Sequence, residues 1–165
     1  MIYYFNADEI FEMAVKIEEN GASFYRKAAS LQAGASERQA FEQLAAMEDS
    51  HKSTFEAMRK TLSAEEQAQT LFDPEDESSK YLSVMADIHG GEGSPKAADN
   101  LTGKETFQEI LDIAIGLEKE SILYYLGLKD MVPRTYGQDK VDAIIREEQK
   151  HIVQLNALRK EAARR

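Results

Sequence analysis

Core-type side chains recur at three- and four-residue spacing over four long stretches of the chain, the pattern of amphipathic helices that bury one face. The first is predicted from about Asn6 to Leu31, opened by Asn6 as N-cap with Glu9 three residues on, a capping box, and punctuated by Gly34. The second is predicted from Ser36, with Gln39 as its box partner, to about Leu62. The third follows Thr102-Gly103-Lys104-Glu105, read as another box, and lasts to about Met131, where Pro133 stops it. The fourth begins between Tyr136 and Lys140 and continues to the C-terminus, where Arg159, Lys160, Arg164 and Arg165 suit the negative end of the helix dipole.

The stretch from Ser63 to Leu101 has a different texture. Asp73-Pro74-Glu75 is predicted to start a short helix ending near His89-Gly90-Gly91, after which Gly93, Ser94 and Pro95 read as loop. The joints elsewhere are only a few residues long, so helices one and two are antiparallel, as are three and four. The middle segment, residues 63–103, is long enough to span the bundle, which lets helix three run parallel to helix two. The prediction is an all-α, ferritin-like four-helix bundle with one long crossover, forming a single domain over residues 1–165.

Composition narrows the chemistry. Apolar residues make up 42% and charged residues 30%, the make-up of a folded globular chain. Its 20 basic against 30 acidic side chains give a net charge of −10, which argues against nucleic acid or an anionic membrane as partner. Cysteine is absent, which removes disulfides, zinc fingers, thiolate-held iron–sulfur centres and cysteine nucleophiles. The N-terminus, Met1 to Asn6, lacks the basic start and long apolar run of a signal peptide, and no stretch is apolar enough to span a bilayer, so a cytoplasmic location is expected.

The four helical stripes contain a duplication. Helix two gives Phe41, Leu44, Glu48, His51, Phe55, and helix four gives Val141, Ile144, Glu148, His151, Leu155, each 100 positions later. Helix one gives Phe11, Ala14, Glu18, Gly21, Tyr25, and helix three gives Leu111, Ala114, Glu118, Ser121, Tyr125 at the same offset. The repeat unit is a helical hairpin, and the halves are expected to be related by a pseudo-two-fold axis.

Six polar residues, Glu18, Glu48, His51, Glu118, Glu148 and His151, occupy stripe positions otherwise held by Leu, Phe and Ala. Charged side chains are rarely buried unless paired or bound to metal. Four ionised glutamates in one core repel each other, so either several are protonated or cations sit among them. Two divalent cations balance four carboxylates. Glu-x-x-His sets its two side chains about 60° apart around the helix and one turn along it, so that one metal can take both. A glutamate from each of two helices, plus Glu-x-x-His from each of the other two, is the ligand set of di-iron and di-manganese carboxylate bundles. A single Glu-x-x-His is ordinarily a solvated pair; two in matching registers on the apolar stripe, with matching glutamates, are not.

At these residues the sequence resembles the rubrerythrins of the ferritin-like di-iron carboxylate superfamily. The motifs are Ala14-Val15-Lys16-Ile17-Glu18, Glu48-Asp49-Ser50-His51, Ala114-Ile115-Gly116-Leu117-Glu118 and Glu148-Gln149-Lys150-His151. The resemblance implies that Glu48 and Glu148 bridge two metal ions, that Glu18 with His51 completes one, and that Glu118 with His151 completes the other. It implies iron as the cofactor, two ions per chain, with manganese or a mixed pair also compatible with these ligands. It further implies that Tyr25 and Tyr125, two turns after Glu18 and Glu118, hydrogen-bond the glutamate ligands; the other reading is two core tyrosines with hydroxyls satisfied elsewhere. Two departures stand out. Rubrerythrins typically carry a C-terminal rubredoxin domain with four cysteines, so here the electron donor is expected to be a separate protein or small molecule. They also carry an extra glutamate three residues after the helix-three ligand, where this chain has Ser121.

The expected activity is reduction of peroxide, or of O₂, at a carboxylate/histidine di-iron site. The alternatives are ferroxidase or iron-handling chemistry, and a non-enzymatic helical module that uses metal for stability or has lost it. Gly21 and Ser121 leave space for peroxide or dioxygen, or else allow close helix packing. His89, without a motif partner, is expected to be solvent-exposed or capping, and Glu65-Glu66 with Asp73 to Glu77 to form a solvated surface. A homodimer is expected from the family resemblance and from the apolar start Ile2-Tyr3-Tyr4-Phe5.

Overall fold

A computed structural model describes residues 4–70, 77–89 and 94–164, apart from the side chains of residues 86–89. Six α-helices lie among them: α1 (Ala7–Leu31), α2 (Ala35–Arg59), α3 (Glu77–His89), α4 (Lys96–Asp99), α5 (Phe107–Lys129) and α6 (Gln138–Ala162). A 3₁₀ turn, Arg134–Tyr136, precedes α6. The helices α1, α2, α5 and α6 are the four predicted stripes; α3 and α4 belong to the crossover, and α4 has no periodic signal strong enough to predict it. The side chain of His89 and residues 2, 3, 73–76 and 90–93 lie outside the described set.

The capping box of α1 forms as predicted: Glu9 N donates to Asn6 Oδ1 at 2.9 Å and Asn6 N donates to Glu9 Oε2 at 2.9 Å. Two other starts differ. The second helix begins at Ala35 with Gly34 as N-cap, so Ser36 lies inside the first turn and no Ser36–Gln39 box forms. The third helix is capped not by Thr102 but by Thr106, whose box partner is Glu109. Thr102 and Glu105 do bond one another, but in a turn whose Gly103 has φ +80, a left-handed backbone that interrupts any helix started at Thr102. Gly137, at φ +92, closes the turn into α6 so near α1 that a Cβ there would stand 2.6 Å from the Ala7 side chain.

Ion pairs record the antiparallel hairpins. Arg59, ending α2, bonds Asp8 and Glu12 at the start of α1, while Lys52 reaches Glu19 at 2.5 Å and Arg26 pairs with Asp49. Between α5 and α6, Lys129 bonds Asp142 and Arg159 bonds Asp112, each at 2.6 Å. Such exposed pairs contribute little stability but show the register. Glu66 is not purely solvated as expected: its carboxylate accepts from Ser63 N at 2.8 Å and lies 3.7 Å from Lys140.

The interior is two apolar clusters, one toward each end of the bundle. Repeat-related residues fall in opposite clusters: Phe11, Tyr125, Val141, Ile144 and Phe55 in one, and Leu111, Tyr25, Phe41, Leu44 and Leu155 in the other. This exchange is what a two-fold axis through the middle of the bundle produces. It also places the C-terminal ends of α2 and α5 together, so those helices run parallel. The crossover accordingly travels from Leu62 and Leu82 in the first cluster to Leu101 in the second. Phe5, expected on an exposed N-terminal patch, is fully buried instead: it stacks on Tyr81 and its N–H bonds the Met131 carbonyl at 3.0 Å, while Tyr4 stays 41% exposed. Among the described residues no helix is long and apolar enough to cross a membrane.

Candidate metal centre

The plane between the two clusters is polar. Glu18 from α1, Glu48 from α2, Glu118 from α5, and Glu148 and His151 from α6 are all buried there, and His51 from α2 keeps 17% of its side chain exposed. Helical spacing puts them there: each pair sits one turn apart on the inward face that its neighbours fill with Leu, Ile, Phe or Val.

His151 is the hub. Its Nδ1 lies 3.0 Å from Glu118 Oε1, 3.2 Å from Glu148 Oε2 and 3.8 Å from Glu48 Oε2. His51 Nδ1 lies 3.3 Å from Glu48 Oε2. The two imidazoles stack with centroids 4.0 Å apart, and their Nε2 atoms approach to 3.3 Å. Two groups therefore have donor atoms within 4.8 Å of one another, Glu48/His51/His151 and Glu118/Glu148/His151. The structure thus gathers five of the six predicted ligands into metal-sized groups. The sixth, Glu18, is buried with them, its carboxyl against Glu48.

The charges are not independent. Burial pushes the Glu118 carboxyl well above its ordinary value, reinforced by the charges of Glu148 and Glu48 and opposed by the His151 hydrogen bond. Burial alone pulls His151 down, but its bonds to Glu118 and Glu148 and the charges of Glu118 and Glu48 outweigh that and push it up to about 12. Burial also works against ionised Glu48, yet the His51 bond, the His151 charge and Glu18 hold its pKa below the ordinary value. Without cations, the cluster holds its charge down by keeping protons on the Glu118–His151 pair, whose partners meet at 3.0 Å.

These protons leave other demands unmet. Glu48 Oε1, Glu118 Oε2 and Glu148 Oε1 are buried with no hydrogen-bond partner among the described residues. A buried carboxylate oxygen without a donor costs about 1–3 kcal/mol or more. Three such oxygens from three helices, gathered around two imidazoles, have the chemistry of a divalent-metal donor set: hard oxygens with borderline nitrogens, suited to iron or manganese. The residues fit the group.

Tyr25 and Tyr125 are both fully buried. Tyr125 lies where the charges of Glu148, Glu18 and Glu118 add to burial in keeping the phenol protonated, but its hydroxyl has no hydrogen-bond partner among the described residues, so the bond implied for it is not made. Tyr25 packs edge-on to Phe24 at 5.3 Å and stacks on Phe41 at 6.5 Å. Gly21 and Ser121, one turn beyond Glu18 and Glu118, are buried. Tyr124 was not singled out by the sequence pattern; the signal for it was the break in the repeat, where its counterpart is Phe24.

No family model matches the sequence, and no curated protein matches it. Among solved structures, the chain is similar to a Thermotoga maritima protein provisionally described as a ferritin-like diiron-carboxylate protein. The sequences are 25% identical, the match covers 98% of this chain and 99% of that one, and the TM-score is 0.58. Taken with the parallel α2 and α5 and the long crossover, this likeness identifies the fold of the chain as a ferritin-like four-helix bundle.

Proposed function

We propose that the protein is a dinuclear metal oxidoreductase that reduces peroxide at two iron ions held by Glu18, Glu48, His51, Glu118, Glu148 and His151. The observation that carries this reading is the set of three buried, unpartnered carboxylate oxygens around two imidazoles. The diiron-carboxylate description of the Thermotoga maritima protein supports the choice of iron. In this reading Glu48 and Glu148 would serve both ions, Glu18 and His51 would hold one, and Glu118 and His151 would hold the other.

Held by these six residues, a pair of ferrous ions would supply two-electron reducing chemistry toward a peroxide. The chain's part is positional and electrostatic. Four carboxylates stabilise the more highly charged oxidised ions, and the two apolar clusters keep bulk water from the plane between them. His51 is partly exposed while His151 is fully buried, which makes the His51 side the approach for a small oxidant. Electrons come from a separate donor.

The outer face of α5 supports a homodimer. Leu123 is 68% and Leu126 47% exposed, beside Gly127, whereas the repeat-related positions on α1 carry Ser23, Arg26 and Lys27. Identical places in the two halves thus differ in polarity, and the apolar one suits a partner.

Stopped-flow mixing of the diferrous protein with peroxide and with O₂ tests the activity. Faster oxidation by peroxide supports the reading; markedly faster oxidation by O₂, or uptake of many irons per chain during prolonged loading, favours ferroxidase or storage chemistry instead.

A further inference from the structure

After α2 the crossover folds over one end of the bundle, where α1 and α6 begin. The Glu66 carbonyl accepts from Asp8 N–H at 3.3 Å, and the Ala68 carbonyl accepts from Asn6 Nδ2 at 3.0 Å. The Glu66 side chain passes Gly137, where a Cβ would stand 3.3 Å from its Cγ, and its carboxylate lies 3.7 Å from Lys140. Residues 63–70 are thus seated against the start of α1 and the start of α6.

The repeat puts a matching place at the opposite end of the bundle. Shifted by 100 positions, Asn6, Ala7 and Asp8 become Thr106, Phe107 and Gln108 at the start of α5, while Gly137 and Lys140 become Glu37 and Ala40 in α2. Those five residues, with Glu161 of α6, line one pocket of about 440 Å³. Its apolar wall, Phe107 and Leu158, packs on the second apolar cluster, away from the Glu/His plane. One end of the bundle therefore seats a segment of the chain itself, whereas among the described residues no segment occupies the other. The two places also differ in charge. Lys140, which faces Glu66, has Ala40 as its counterpart, and the charged side chains lining the pocket are Glu37 and Glu161, both acidic.

We propose that this pocket is a docking site for a short peptide segment of another protein, one that carries lysine or arginine in the place Glu66 holds at the other end. Its backbone carbonyls meet the start of α5 as those of Glu66 and Ala68 meet the start of α1. Charge decides which peptide is accepted. A segment like residues 63–70 would bring its glutamate beside Glu37 and Glu161 with no cation to receive it, whereas a basic side chain there pairs with both. The docking stands apart from the metal centre and does not depend on what the centre does.

The test titrates the full chain, as purified, into two fluorescently labelled synthetic peptides and follows their anisotropy. Both have the sequence of residues 63–70, and one of them carries Glu66→Arg. The arginine peptide is expected to bind about tenfold or more tighter than the native one, because it exchanges repulsion for attraction beside two carboxylates. In the Ala40→Lys variant of the protein, which restores the cation facing Glu66 at the other end, the order of affinities is expected to reverse, with circular dichroism unchanged. Binding of neither peptide, equal affinity for the two, or an order left unchanged by Ala40→Lys would overturn the proposal. So would self-association of the protein that the arginine peptide reverses, which would give the pocket to a second copy of this chain.

Discussion

His51 and His151 stack across the middle of the bundle, ring centroids 4.0 Å apart and planes 28° inclined, although they lie in different hairpins. The stack makes the two halves unequal: His151 faces Glu118, Glu148 and Glu48 and is fully buried, while His51 faces Glu48 and is partly exposed.

From that inequality follows an unequal response to mutation. His151 belongs to both donor groups and His51 to one. H151A should lower metal content more than H51A, because His151 also bonds or faces the carboxylates of Glu118, Glu148 and Glu48, and losing a group that positions ligands typically costs a further 10- to 100-fold in affinity. Elemental analysis of both purified variants checks this; greater loss in H51A than in H151A would contradict it.

The metal-free cluster should discriminate between its glutamates. Burial pushes the Glu118 carboxyl up, toward its neutral form, so E118Q, an uncharged near-isostere, should change the stability of the apoprotein less than E48Q does. Glu48 is held ionised by the histidines, so E48Q should cost about 1–3 kcal/mol. Chemical denaturation at neutral pH after chelation measures both. Equal effects would show that the charge is not divided as described.

Acid should find a different weak point. Thr102 Oγ1 and backbone N–H groups hold the Glu105 carboxylate down to about 2, against an ordinary 4.5. A carboxylate whose folded pKa is depressed contributes stability that is fully present above about pH 4.5 and disappears as pH falls toward about 2. E105Q should therefore flatten the pH dependence of melting across that window and leave its shape above pH 5 unchanged. Superimposable acid limbs for variant and wild type would refute the assignment.

The apolar clusters should be separable from the centre. Phe55 is fully buried and packs on Phe11 at 6.2 Å in the cluster toward one end of the bundle. F55A should cost about 3–5 kcal/mol by denaturation while metal content per folded chain stays unchanged. Loss of metal from folded F55A would mean that the site depends on this packing more than the geometry indicates.

The four long helices, their pairing and the six polar core positions were legible because burial imposes a periodicity that Glu18, Glu48, His51 and their repeat partners visibly interrupt. The helix starts were less so. Thr102 and Glu105 have the letters of a capping box and do bond one another, but the left-handed Gly103 between them is a three-dimensional fact that spacing does not carry. Phe5 reads as a loose apolar terminus and is in fact pinned over the end of the bundle by Tyr81 and Met131, contacts far away in sequence. The sharing of His151 between two carboxylate groups was equally hidden, since the repeat predicts two equal halves and says nothing of how their imidazoles pack.

The central claim is that this buried plane holds two iron ions. Elemental analysis of the protein as isolated, combined with anomalous scattering at the iron edge from its crystals, tests it most directly. The account predicts two iron peaks among Glu18, Glu48, His51, Glu118, Glu148 and His151. Well-ordered crystals of protein reconstituted with ferrous iron but showing no metal between these residues, with their carboxylates bonded only to one another and to protonated His151, would contradict it.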